Sequence, residues 1–195
     1  MHLPTRTGCL ALLLVVCAAT LTGCAGGDRS TDQSSSIAGP AVAPLSQDDR
    51  VAIYAGVIRQ VVLKDDTAGG NFPKPAVYVL RVTDSSVGDP QLRRTGSSTL
   101  SVVTQEAVAR ELSDLPARIE WIDRRESVPL APDSTVEGGG VIITLGEIEL
   151  KDDTHVWVPA SVYLASLASG GRTYEVAKSG GAWKVTGTTG TFWES

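Results

Sequence analysis

Val141 to Thr186 reads VIITLGEIELKDDTHVWVPASVYLASLASGGRTYEVAKSGGAWKVT. Four β-branched and aromatic runs stand out in it: Val141 to Leu150, Thr154 to Ala168, Arg172 to Lys178 and Ala182 to Thr186. Asp152-Asp153, Gly170-Gly171 and Gly180-Gly181 separate them. Such pairs accept the positive φ angles that two-residue hairpin turns demand. Three hairpin signals in a row predict a four-stranded antiparallel meander. Pro159 has no amide hydrogen for a ladder, so it should mark a bulge or an edge within the second strand.

Working upstream, Arg118 to Asp123 (RIEWID) alternates apolar and polar residues and predicts a short strand. Leu100 to Ser113 predicts a helix whose stripe is Val108, Leu112 and Leu115, stopped by Pro116. Asp84 to Thr99, with Gly88, Pro90 and Gly96, reads as a loop free to move, and Ala76 to Thr83 (AVYVLRVT) as a strand. The first element is a helix. Ser46 is placed as its N-cap, and Asp48 and Asp49 put negative charge against the free amides of the first turn. Val51, Tyr54, Val57, Ile58, Val61 and Val62 recur at three- and four-residue spacing on one face. Gly69-Gly70, Pro73 and Pro75 end that segment. The fold class is therefore α+β: a curved antiparallel sheet with a C-terminal four-stranded meander and two helices packed on one face.

The N-terminus carries a different message. Arg6 precedes an apolar run from Cys9 to Leu21, and Leu21-Thr22-Gly23-Cys24 follows. The run is short of the roughly 20 residues a membrane span needs and fits the apolar core of an export signal. Leu21 to Cys24 resembles the lipobox of bacterial lipoproteins. That resemblance implies cleavage between Gly23 and Cys24 and lipid attachment at Cys24. It divides the chain into a signal peptide (1–23), a lipidated tether (24–46) and one α+β domain (47–195). A lipidated cysteine carries at least two acyl chains, the usual threshold for stable anchoring. The expected location is the extracytoplasmic face of a cell membrane, with that membrane as the first partner.

Composition closes several doors. The chain has three cysteines; Cys9 and Cys17 would leave with the leader and Cys24 would be acylated. No disulfide, thiol nucleophile or thiolate metal site is then left. Residues 25–46 are small and polar, then Ala/Pro-rich, too poor in large apolar groups to offset the entropy of ordering. A flexible tether of about 22 residues reaches about 25 Å. The formal charge of −5 becomes −6 once Arg6 is removed, which argues against nucleic acid as a partner.

Catalytic constellations are weak. His155 is the one histidine outside the leader, and it sits beside a turn. No Gly-x-Ser-x-Gly or Ser-x-x-Lys accompanies it, and one histidine cannot build a zinc site. Glu147, Glu149, Asp152 and Asp153 lack the spacing of a calcium loop and read as a solvent-facing edge capped by an acidic turn. Gly138 to Gly140 precedes a strand without the Lys-Ser/Thr of a phosphate loop. Leu-Lys-Asp-Asp-Thr occurs at 63–67 and again at 150–154 in unrelated flanks, a coincidence of turn chemistry. Trp183 and Tyr174 are assigned to the core. Phe192-Trp193 either tucks back on the sheet or serves a partner. No catalytic residue, metal or cofactor is assigned, and no ligand-binding residue is named.

Two wider resemblances follow from these segments. Ile53 to Arg59 (IYAGVIR), Gly140 to Gly146 (GVIITLG) and Trp183 to Gly190 (WKVTGTTG) resemble an actinobacterial family of uncharacterised exported proteins. That family's members carry a cysteine pair in the stretch equivalent to Val158 to Gly170, which is missing here. The order helix, strand, helix, meander, ending in Gly-Gly-x-Trp-Lys-Val, resembles the NTF2-like fold. This likeness implies a pocket between sheet and helices and, in enzymes, a buried Asp/His or Asp/Tyr pair. The expected function is non-catalytic binding of a small ligand or an envelope protein; the alternative is an NTF2-like enzyme with a carboxylate-lined pocket.

Overall fold

Ser46 starts the ordered helix as its residue type suggests. Its hydroxyl accepts from the Asp49 amide at 3.1 Å, and α1 runs Gln47–Lys64. The protein is described by a computed structural model covering residues 44–67 and 73–195. The leader, Gly23, Cys24 and the tether to residue 43 lie outside the described residues, as does Gly69-Gly70. The described residues belong to one compact unit. No described helix is long and apolar enough to cross a membrane.

After α1 come β1 (Ala76–Leu80), α2 (Val102–Glu111), β2 (Arg118–Ile122), β3 (Val141–Leu145), β4 (Glu149–Leu150), β5 (His155–Ala165), β6 (Ala168–Ser179) and β7 (Ala182–Glu194). The α+β class holds: a seven-stranded sheet in the order β2-β1-β3-β5-β6-β7, with β4 beside β5. From β3 through β5 and β6 to β7 the strands are antiparallel, as the meander requires.

The expectation of a wholly antiparallel sheet is corrected at the other end. β1 pairs parallel with both β2 and β3, so the sheet is mixed. Alternation reveals which residues face the core but not strand direction. Direction follows from the connection: α2 carries the chain from β1 to β2, and a helical crossover returns it parallel.

Both helices cover one face of the sheet. Ile53, Val57, Ile58 and Val61 of α1 and Val108 of α2 pack on Val77, Val79, Val141, Ile143 and Leu145 in one cluster. Tyr174 and Trp183 belong to it, as assigned, along with Leu112 and Leu115. The opposite face holds a smaller cluster of Ile122, Val128, Val136 and Ile142, flanked by Tyr78, Leu80 and Tyr163.

Two turn or strand expectations move. Gly180 and Gly181 do make the last hairpin turn, with φ of 59° and 81°. Gly170 and Gly171 make no turn: both lie within β6, and the chain reverses at Ser166-Leu167. A Cβ on Gly171 would collide with the Val87 carbonyl oxygen, so these glycines serve close approach instead of reversal. Pro159 marks an irregularity, as expected: it pairs with Thr173 on the β6 side, while on the other side the register slips by one residue between Leu145↔Ala160 and Glu149↔Trp157. The Gly146 amide donates to the Pro159 carbonyl at 2.7 Å. In an antiparallel ladder a residue's N–H and C=O point the same way, so the missing donor faces the gap where β3 gives way to β4. The single 141–150 run is split there.

Candidate functional site

The loop from Asp84 to Thr99 crosses the sheet face opposite the helices and is fastened along its length, contrary to its reading as free. The Trp193 indole donates to the Val87 carbonyl at 2.9 Å, and Asp89 accepts from the Thr191 amide at 2.8 Å and from its hydroxyl. Those hydroxyl and amide bonds hold the Asp89 carboxyl down at about 2. Glu147 accepts from the Thr83 and Ser98 hydroxyls, each at 2.5 Å. It is thus partnered to the loop and not a solvent-facing edge residue. β7 runs past its expected end at Thr186, putting Trp193 under this loop while Phe192 is 64% exposed.

Ile53, Val57, Ile58, Val77, Val79 and Ile143 are at 0% exposure, at the centre of the helix–sheet interface. A buried Asp/Tyr pair is nevertheless present. The Tyr174 hydroxyl donates to Asp65 Oδ2 at 2.9 Å, and Arg172 Nε stands 3.7 Å from the same oxygen. Burial, reinforced by the adjacent carboxylate, raises the Tyr174 hydroxyl far above its ordinary range, so it stays protonated and donates. Asp65 Oδ1 is occupied by the Thr67 amide at 2.8 Å. The geometry is that of a polar clamp joining the end of α1 to β6.

His155 is exposed and lies 2.9 Å from Asp152, whose carboxyl is held at about 2 by that contact and by Thr154. Glu149 pairs with Lys151 at 2.7 Å. Among the described residues no group of three or more His, Cys, Asp or Glu is arranged to hold a metal.

Open volume lies in several grooves, one of about 490 Å³ between α1 and α2 among them, and two regions adjoin the sheet. One groove of about 590 Å³ runs along α1, with Ala52, Ala55 and Gly56 on the helix and Trp183 and Val185 of β7 among its lining residues. The second region is a trough on the far face of the sheet, formed by two adjoining grooves. The larger, about 620 Å³, includes Val82, Arg94, Arg124 and Asp123 in its lining. The smaller, about 380 Å³, includes Ile142, Ser161, Tyr163, Ser169 and Trp193. Leu80, Arg125 and Thr144 line both.

Arg94, Arg124 and Arg125 line the trough. Arg81 next to it is paired with Asp123 at 2.6 Å. Arg94 lies 2.9 Å from Glu149 without an aligned hydrogen bond from its buried Nη1, and 5.4 Å from the Trp157 ring centre. Arg125 sits over Tyr163, its guanidinium carbon 3.3 Å from the ring centre. None of these arginines is picked out by motif reading. The signal that could have found them is a pair of Arg-Arg steps, Arg93-Arg94 and Arg124-Arg125, in the loops of an acidic chain. Compared with known proteins, the chain matches no family model, no curated protein and no solved structure.

Proposed function

We propose that this chain is an envelope lipoprotein, anchored through Cys24, whose domain binds a ligand or partner without catalysis. The observation that carries the binding reading is where the space lies. The centre of the helix–sheet interface is fully buried, while pockets of ligand-binding size (about 300–1,000 Å³) open between α1 and β7, between the helices and across the far face of the sheet. The likenesses to an exported actinobacterial family and to the NTF2-like fold belong to this proposal. The helix-strand-helix-meander order supports the second.

One observation favours the enzymatic alternative, the buried Asp65–Tyr174 pair. It is 6% and 3% exposed, closed to substrate in this conformation.

A thermal-shift panel of metals, sugars, cell-wall fragments, lipids and metabolites against the full chain in neutral detergent tests the reading. A ligand at about a hundred times its Kd stabilises by about 2.7 kcal/mol, or roughly 5–10 °C for a domain of this size. A shift without turnover is expected. Turnover of a panel compound, lost in Asp65→Asn with folding kept, would replace binding by catalysis.

A further inference from the structure

Arg125 lies where the two grooves of the trough meet, lining both. Its place is set from beneath. The Tyr163 hydroxyl donates to the Ser134 carbonyl at 2.7 Å, and the ring packs against the Ile122, Val128, Val136 and Ile142 cluster. A guanidinium lying on a fixed aromatic face keeps its N–H fork in its own plane, clear of the ring. No carboxylate among the described residues is within ion-pair distance of Arg125 or of Arg124 beside it.

The trough's acids are engaged elsewhere. Asp123 pairs with Arg81, and Asp84 accepts from the Ser86 amide and hydroxyl at 2.9 and 2.6 Å. Around Arg125, Leu80 and Val82 supply apolar wall over the buried Ile142, and Ser161 and Ser166 supply hydroxyls; the Ser169 hydroxyl is bonded to that of Ser195. A positioned, unneutralised fork opening onto apolar surface is matched by a planar or tetrahedral oxyanion attached to an apolar body.

Building on the binding reading, we infer that the trough takes an organic oxyanion, a carboxylate or phosphate on an apolar or ring-shaped body. Arg125 pairs with the oxyanion, and the body lies along Leu80, over Ile142, toward Trp193. Arg124 adds charge at the rim. Tyr163 is a positioning residue: it fixes the fork and needs no contact with the ligand.

Calorimetry of the full chain in neutral detergent with phenyl phosphate tests this, with inorganic phosphate and benzyl alcohol as partial probes. Phenyl phosphate should bind more tightly than either. Arg125→Gln should weaken it about tenfold or more, the range for a charge-assisted hydrogen bond. Arg125→Lys should recover part of the affinity through charge alone, and Lys184→Gln in the α1 groove should leave it unchanged. Melting curves establish that each variant is folded. Equal binding by folded Arg125→Gln, or benzyl alcohol matching phenyl phosphate, overturns the inference. If the broader panel yields only a neutral ligand, the oxyanion idea falls and the binding reading stands; silence from both sets removes both. Once phenyl phosphate binds, flotation of Cys24→Ser with phosphatidylglycerol but not phosphatidylcholine vesicles, lost in Arg125→Gln, assigns the oxyanion to a lipid headgroup. Binding in solution without flotation assigns it to a free metabolite.

Discussion

Asp49 shows how much one side chain can join. It lies in the first turn of α1, accepts from Lys178 at 2.8 Å and from the Trp183 indole at 2.6 Å, and so ties helix to hairpin. Hydrogen bonds from Lys178, then Trp183 and Ser46, hold its carboxyl well below the usual carboxylate range. With the side chain 23% exposed, Asp49→Asn should cost about 1–2 kcal/mol. That is roughly 2–8 °C in Tm for a domain this size. A depressed folded pKa means the ionic contribution is complete above the unfolded value near 4 and is lost as pH falls through the folded one. The gap between wild type and Asp49→Asn, measured by urea melts, should therefore close below about pH 4; a gap constant down to pH 2 would contradict the assignment. Asp65 and Asp152, the matching residues of the repeated pentapeptide, both accept from the amide two residues on, at 2.8 and 2.7 Å. The repeat is shared turn chemistry at the end of a helix and in a hairpin, as the sequence suggests.

Among the elements, the 84–99 loop and the β6–β7 hairpin decide the shape of the far face. Asp89 is the loop's fastening to β7, so Asp89→Ala should raise amide exchange in residues 85–95 and 190–193 while α1 keeps its protection. The same loosening should appear in wild type as pH falls from about 4 through about 2, where Asp89 takes its proton. Exchange unchanged in both cases would show that the loop is held by other contacts. Glycine position separates two mechanisms. Gly171→Ala should cost about 1–3 kcal/mol or more, because the added methyl meets the Val87 carbonyl and the Trp193 indole, and it should alter tryptophan fluorescence. Gly180→Ala meets nothing within 4 Å and should cost about 1 kcal/mol through its φ of 59° alone, leaving that fluorescence unchanged.

For the whole molecule, the proposed anchor is tested apart from the domain. Cys24→Ser should move the protein from the membrane to the soluble fraction and abolish lipid labelling without changing its melting curve. Continued labelling would remove the lipoprotein reading and leave the domain's grooves untouched.

Elements whose signals lie within a few residues of chain are legible in the sequence alone: α1 with its Ser46 cap, α2 with Val108 and Leu112, and the turn at Gly180-Gly181. Caps, amphipathic stripes and positive-φ turns are satisfied by near neighbours, so the pattern alone suffices. Strand direction at β1 and β2, the role of Gly170-Gly171 and the fastened loop are not legible there. Each is set by a partner far along the chain: a crossover through α2, the Val87 carbonyl against β6, Asp89 against Thr191. The same holds for Arg125, an ordinary surface residue in sequence, which acquires its place from Tyr163 on another strand. Long-range contact, not local propensity, fixed which charges stayed unneutralised and which face of the sheet remained open.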